Sequence, residues 1–444
     1  MGCSSAGTAQ EPDPASPANA GSPLEMAAAY SAERAGDAVL VWKNGTLVLE
    51  RYQNGFAADE AHILASGTKT FSGAMALAAV EDGRFALDDP VDQYITEWQD
   101  DPQKAQITIR QLLHLTGGLG TQIGQAPSFD EAVQAPLVHR PGEAFRYGPT
   151  AFQVFGALLQ RVLDGEDPAA YLQRRLLAPI GAEVADWNRV DGDLQLAGGA
   201  SLTARDWLRF GRLLLNDGQW NGESVIDPAL MAELTQPTAA SPGYGLTVWL
   251  NAAVDTSDAF FEGAPVVIQP DGASGMIYHD GPPDLYMAAG LFNQRLYIIP
   301  PEQMVVVRFG RADAAWSDAA FLARLLDGEA YDAPPHPKLS SAERVDLLTR
   351  LRIHQLDRLL SLADTQEEAI RPLVRRQMEG LTMLEDWADM DRRARRRTLR
   401  DLRRLQQETD RAIQSKLTDE QAAAYRDFQA EERAERLERW RQRR

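Results

Sequence analysis

Ala65-Ser66-Gly67-Thr68-Lys69-Thr70-Phe71 runs on through small and apolar residues to Asp82-Gly83. Ser66 and Lys69 stand three apart at the start of a helical pattern from Ser66 to Asp82, closed by Gly83, and at that spacing their side chains share one helical face. A serine hydroxyl is a poor nucleophile until a neighbour takes its proton, and a lysine kept from water has a pKa low enough to do so. The helix N-terminus adds a field that favours developing negative charge. The pair therefore predicts Ser66 as an acyl acceptor and Lys69 as its proton acceptor. Ser-x-x-Lys also arises as a helix cap followed by a solvated side chain, so the surrounding segments have to decide.

Outward from that helix, two strand patterns frame the region. Residues 37 to 52 are two β-rich runs around Asn44-Gly45, a strong hairpin signal. A second hairpin pattern joins Arg295–Ile299 to Met304–Phe309 through Pro300-Pro301-Glu302-Gln303. Between them lie helical patterns over Ile109–Leu115, Thr150–Leu163 and Ala204–Asn216, the last closed by Gly218. Strands at both ends with helices between predict an α+β domain whose sheet joins the two ends.

Four further segments follow the Ser-x-x-Lys helix in order: Leu87-Asp88-Asp89-Pro90-Val91, Ile107 to Leu119 with Leu113-His114-Leu115-Thr116-Gly117-Gly118, Phe145-Arg146-Tyr147-Gly148-Pro149, and Gly199 to Leu208. Together these resemble the class C β-lactamase and DD-peptidase family over roughly residues 30 to 325. The resemblance implies an antiparallel sheet flanked by helices with an all-helical domain. It also implies Tyr147 as third catalytic group, relaying a proton to the leaving group while Lys69 holds it partly ionised. The family's strand motif aligns to Ala288-Ala289-Gly290, which implies an oxyanion hole built from the backbone N–H groups of Ser66 and Leu291.

Two departures bear on substrate. Pro149 stands where β-lactamases and DD-peptidases carry Asn, and Ala288 replaces a cation that would hold a substrate carboxylate. Tyr147-Gly148-Pro149 and Ala289 to Gln294 look most like the esterase and 6-aminohexanoate-dimer hydrolase branch. The expected function is a serine hydrolase of the esterase or amidase type, cleaving a small ester or amide through an acyl-Ser66 intermediate. Two alternatives are an idle scaffold acting as an envelope binding protein and a β-lactamase or DD-peptidase.

Other candidates read as structural. His114 is expected to bond backbone, and His279 beside Asp280 to sit on a surface loop. Ser274 lacks the final glycine of a nucleophile elbow, and Gly117-Gly118-Leu119-Gly120 has no Lys-Ser or Lys-Thr after it to make a phosphate loop. No His-Glu-x-x-His or cysteine cluster appears, so neither metal nor cofactor is expected.

Charge and flanking segments complete the organisation. The net charge is −19, but residues 341 to 444 are near +3, leaving an acidic body that argues against nucleic acid as substrate. Residues 1–24, rich in Ala, Pro, Gly and Ser around Cys3, read as a flexible tether; 25–330 as the hydrolase domain; 331–340 as a Pro-rich linker; and 341–444 as an Arg- and Glu-rich helical module. Met-Gly-Cys-Ser-Ser resembles a bacterial lipoprotein after signal removal. From that follow an expected periplasmic or envelope location and membrane attachment through a lipidated Cys3. In the helical module Leu417-Thr418-Asp419-Glu420-Gln421 reads as a capping box and resembles the LTxxQ motif of periplasmic helical proteins, which implies an envelope protein partner.

Overall fold

The computed structural model of the chain describes residues 21–121, 126–254, 275–313, 315–331, 341–360, 362–381, 392–426 and 428–430. Cys3, the tether through residue 20, nearly all of the linker, and Ser274 lie outside the described residues. The last residues assigned to the tether instead start a helix, α1 (Pro23–Glu33). Ser22 caps it by accepting from the Glu25 N–H, and Pro23 takes the first helical position, where a missing N–H costs nothing.

β1 (Gly36–Lys43) and β2 (Thr46–Tyr52) form the first hairpin, with Asn44 (φ 49°) and Gly45 (φ 84°) both left-handed as a tight, twisted turn requires. β3 (Trp249–Leu250), β4 (Tyr286–Gly290), β5 (Gln294–Ile299) and β6 (Met304–Gly310) complete a six-stranded antiparallel sheet in the order β3-β4-β5-β6-β1-β2. β6 pairs along β1 from Gly36 opposite Gly310 to Lys43 opposite Met304, so the sheet closes over a long helical insertion.

The longer helices of that part of the chain are α2 (Lys69–Glu81), α3 (Thr150–Val162), α4 (Ala204–Leu215) and, after the sheet, α5 (Asp318–Leu326). Side chains alternate across β5 and β6 and meet helices on both faces. On one face α4 rests on the sheet at Gly211, where a Cβ would lie 2.5 Å from Val305 and 2.7 Å from Leu296. Trp207, one turn earlier, stacks on Phe309 at 5.5 Å. On the other face Tyr297 stacks on Phe321 of α5 at 5.7 Å, and Tyr30 of α1 packs on Trp316. α2 is buried from Lys69 through Ala79, as a helix apolar on all sides must be. This is the expected α+β arrangement, an antiparallel sheet flanked by helices, and it puts Lys69 in the core.

The C-terminal helices α6 (Ser341–Leu360), α7 (Asp364–Leu381) and α8 (Arg392–Gln414) bury a cluster of their own around Val345, Ile353, Leu356, Ile370, Val374, Ile413 and Tyr425. Within α6 Leu356 is fully buried, but Leu359 is 39% exposed, so its leucines do not all face inward. The capping box forms: Thr418 N–H donates to Gln421 Oε1 at 3.0 Å and Gln421 N–H to Thr418 Oγ1 at 3.3 Å. A counterpart unnoticed in the sequence stands opposite. Gln366 Oε1 accepts from Ala363 N–H at 3.0 Å, its Nε2 donates to Lys416 O at 2.9 Å, and Gln421 Nε2 donates to Leu360 O at 2.9 Å. Each glutamine caps its own helix start and bonds the carbonyl that precedes the other.

Candidate active site

The Ser66 turn is a short 3-10 segment, Ala65–Thr68, that runs directly into α2. Ala65, immediately before Ser66, has φ 47°, a left-handed conformation that costs a non-glycine residue about 1–3 kcal/mol. Neighbouring backbone over-determines it: Leu64 N–H donates to Ala200 O at 2.9 Å and Gly67 N–H to Leu64 O at 3.0 Å. Ala200 N–H in turn donates to Thr68 Oγ1 at 3.2 Å. Ser66 is thereby lifted half-exposed at the head of a buried helix.

Lys69 Nζ lies 3.0 Å from Ser66 Oγ and 2.6 Å from Ala197 O. Its remaining side faces the Tyr147 ring at 4.9 Å and the Phe152 ring at 5.4 Å. The side chain is buried and makes no ion pair with any described carboxylate. Desolvation accordingly lowers its pKa from the ordinary lysine value to about 7. The Ala197 carbonyl, part of Gln195-Leu196-Ala197-Gly198-Gly199, is a partner that sequence reasoning missed. A carbonyl leaves no side-chain signature, and only the paired glycines beside it mark the loop.

Tyr147 is almost fully buried, wedged against Trp249 at 5.3 Å with Phe145 and Tyr244 around it. Its hydroxyl makes no hydrogen bond among the described residues. Burial pushes its pKa up. The Ser66 hydroxyl, near but outside hydrogen-bond geometry, and the Arg295 charge pull it back only in part. The resemblance implies a partly ionised tyrosine, whereas the environment here favours the neutral phenol.

β4 brings the third element. A Cβ on Gly290 would fall 2.0 Å from Leu64 O, so only glycine lets the strand end abut the Ser66 turn, and Leu291 follows at the strand's exit. Ser66, Lys69 and Tyr147 thus share one site, and the strand carrying Leu291 borders it. Gly117, Gly118 and Leu119 line a small recess with Arg146, Gly148 and Ala151, next to Tyr147 in the chain.

The two departures are structural facts. Pro149 is the N-cap of α3, where its carbonyl accepts from Phe152 and Gln153 N–H groups and no side-chain amide is present. Ala288 is buried within β4. His114 is buried, with its pKa lowered to about 4 by desolvation against a hydrogen bond to the Tyr244 backbone, as a structural histidine should be. His279 is exposed, 3.1 Å from Asp280 and 3.2 Å from the Tyr331 hydroxyl.

The Beta-lactamase family model matches residues 24–327. An uncharacterised protein of Mycobacterium tuberculosis is 29% identical over 37% of this chain and 56% of its own, so the chain spans about half that relative's length. Among solved structures, a Bacillus anthracis protein named provisionally as a 6-aminohexanoate-dimer hydrolase superposes with TM-score 0.51 at 23% identity, over 63% of this chain and 74% of that one. A family VIII carboxylesterase superposes with TM-score 0.53 at 13% identity, over 69% and 96%. At these identities the superpositions establish the fold. With the family match covering the sheet, the helical insertion and the Ser66 site together, the chain belongs to the beta-lactamase family of serine hydrolases.

Proposed function

We propose that this protein cleaves a small ester or amide by acyl transfer to Ser66, with Lys69 as the base. The observation that carries this is the 3.0 Å contact between Lys69 Nζ and Ser66 Oγ, combined with a lysine that burial brings near neutrality. A neutral amine has two N–H donors and one lone pair. Donating to Ala197 O at 2.6 Å leaves the lone pair free for the Ser66 proton. As Oγ attacks the substrate carbonyl, the proton passes to Lys69 and negative charge grows on the carbonyl oxygen. The N–H groups of Ser66 and Leu291 receive that oxygen. When the tetrahedral intermediate collapses, the leaving group needs a proton; neutral Tyr147, recharged from Lys69, donates it. Water then repeats the sequence on the acyl-enzyme and releases the acid.

Substrate class follows from what the site lacks. With Pro149 in place of a side-chain amide and Ala288 in place of a cation, no group at those positions holds a substrate carboxylate. A neutral ester or amide fits this better than a β-lactam or a peptidoglycan stem peptide, in line with the two superposed proteins named as a 6-aminohexanoate-dimer hydrolase and a carboxylesterase. Turnover of p-nitrophenyl butyrate and of nitrocefin, measured for the wild type and for Ser66→Ala, tests the proposal. Ester turnover that vanishes in Ser66→Ala, with nitrocefin left intact, is the expected result. Ester turnover that survives in Ser66→Ala places the chemistry elsewhere, and nitrocefin hydrolysis overturns the substrate argument.

A further inference from the structure

The turn Leu291-Phe292-Asn293 joins β4 to β5, and it is unusual in two ways. Phe292 (φ 61°) and Asn293 (φ 67°) are consecutive non-glycine residues in the left-handed region, a costly pair to hold. In addition, the backbone carbonyls from Gly290 to Gln294 are all held by side chains of two strands. Arg295 Nη1 donates to Gly290 O and to Gln294 O, both at 3.0 Å. Gln294 Nε2 donates to Leu291 O at 3.3 Å, Phe292 O at 3.1 Å and Gly310 O at 2.6 Å, and its Oε1 accepts from Gly310 N–H at 3.0 Å. Arg308 Nη1 donates to Phe292 O at 3.3 Å and Asn293 O at 2.8 Å.

The bond to Gly290 O matters most. A peptide unit is planar, with its C=O and N–H pointing opposite ways, so the group that fixes Gly290 O also fixes the Leu291 N–H. Arg295 is itself immobile. Its Nε and Nη2 fork onto the Asp318 carboxylate at 2.7 and 3.0 Å, both side chains fully buried, and Tyr297 and Trp316 also donate to Asp318 Oδ1, at 2.5 and 3.2 Å. A cation on a carbonyl polarises the peptide and makes its N–H a stronger donor.

Resting on the reading of Leu291 as an oxyanion donor, we propose that Arg295 is a positioning residue for the reaction: locked by Asp318, its guanidinium aims and polarises the Leu291 N–H from behind the oxyanion hole. Its charge also draws the Tyr147 pKa downward against burial. Asp318 is the anchor of that arrangement and Gln294 with Arg308 its brace.

Arg295→Lys keeps the charge but cannot serve the Asp318 fork and Gly290 O together. With p-nitrophenyl butyrate, kcat should fall about tenfold to a hundredfold, less than the loss expected from deleting an oxyanion donor outright, while KM stays within about twofold. The carbonyl stretch of the butyryl-enzyme, read by infrared difference spectroscopy, should move to higher frequency as polarisation weakens. Tyr297→Phe removes one Asp318 bond and leaves the fork intact, and it should keep the wild-type kcat and stretch. Wild-type kcat and stretch in Arg295→Lys overturn the proposal. An equal fall in Tyr297→Phe also overturns it, because general loosening then explains both. If Arg295→Lys is not recovered folded, Asp318→Asn is read by the same two outcomes. Failure of the wild type to acylate at Ser66 overturns the parent reading and this one together; acylation in the wild type with an unchanged Arg295→Lys overturns this one alone.

Discussion

Lys69, Arg295 and Arg308 are the cations buried among the described residues, and the first two have opposite chemistry. Arg295 sits with Asp318 across a bidentate fork at 2.7 and 3.0 Å; among the described residues the hydrogen-bond partners of Lys69 are a hydroxyl and a carbonyl. Burial works against the charge on Arg295, but the Asp318 carboxylate outweighs it and raises the pKa, so the guanidinium stays ionised. Burial also works against the charge on Lys69, no carboxylate among the described residues offsets it, and the pKa drops to about 7. For these two side chains the carboxylate makes the difference: without one Lys69 can carry a proton near neutrality, and with one Arg295 is a fixed electrostatic support.

The largest effect is expected at Lys69. Lys69→Met should lower kcat with p-nitrophenyl butyrate by about 10²–10⁴-fold, the usual contribution of a positioned base, as measured by steady-state turnover against the wild type. Retained activity would show that Ser66 draws on another base. At the other cation, Asp318→Ala should leave a buried guanidinium unpaired and cost about 3–5 kcal/mol, seen as a fall in Tm on the order of 10 °C. A Tm close to the wild type would mean that water or a rearranged partner neutralises Arg295.

A smaller effect sharpens the contrast. Between pH 7 and 10 the folded protein, with Lys69 near 7, binds fewer protons at this site than the unfolded chain, whose lysine titrates at its ordinary value. Stability therefore rises with pH across that window, by at most about 1.4 kcal/mol per pH unit, and the gain is absent below 7, where both states are protonated. The Tm of the wild type minus that of Lys69→Met should increase from pH 7 to pH 10. A constant difference would indicate that Lys69 is not depressed.

How much of this was legible in the sequence differs between these same two places. Ser66, Lys69 and Tyr147 could be found because each sits in a short segment with its own pattern, and the hairpin around Asn44-Gly45 and the helices closed by Gly83 and Gly218 carry local turn chemistry. Arg295 and Asp318 are 23 residues apart, on a strand and a helix, and no local pattern predicts that two charged residues meet in a core. The Ala197 carbonyl was hidden for a related reason, since backbone partners have no identity in a sequence. The start of α1 is legible too, since Ser22-Pro23 is a cap followed by a first-turn proline, but the small polar residues before it mask that signal as the end of a flexible tether. The ionisation of Tyr147 could not be judged either, because it depends on Trp249 and Tyr244, brought in from a distant part of the chain.

The measurement closest to the central claim is the pH dependence of Ser66 acylation by p-nitrophenyl butyrate, followed as kcat/KM and by intact mass. With Lys69 as the base and a pKa of about 7, the rate should rise about tenfold per pH unit below that value and level off above it. A rate that is flat through neutrality, or that keeps climbing toward the ordinary lysine range, would contradict the account.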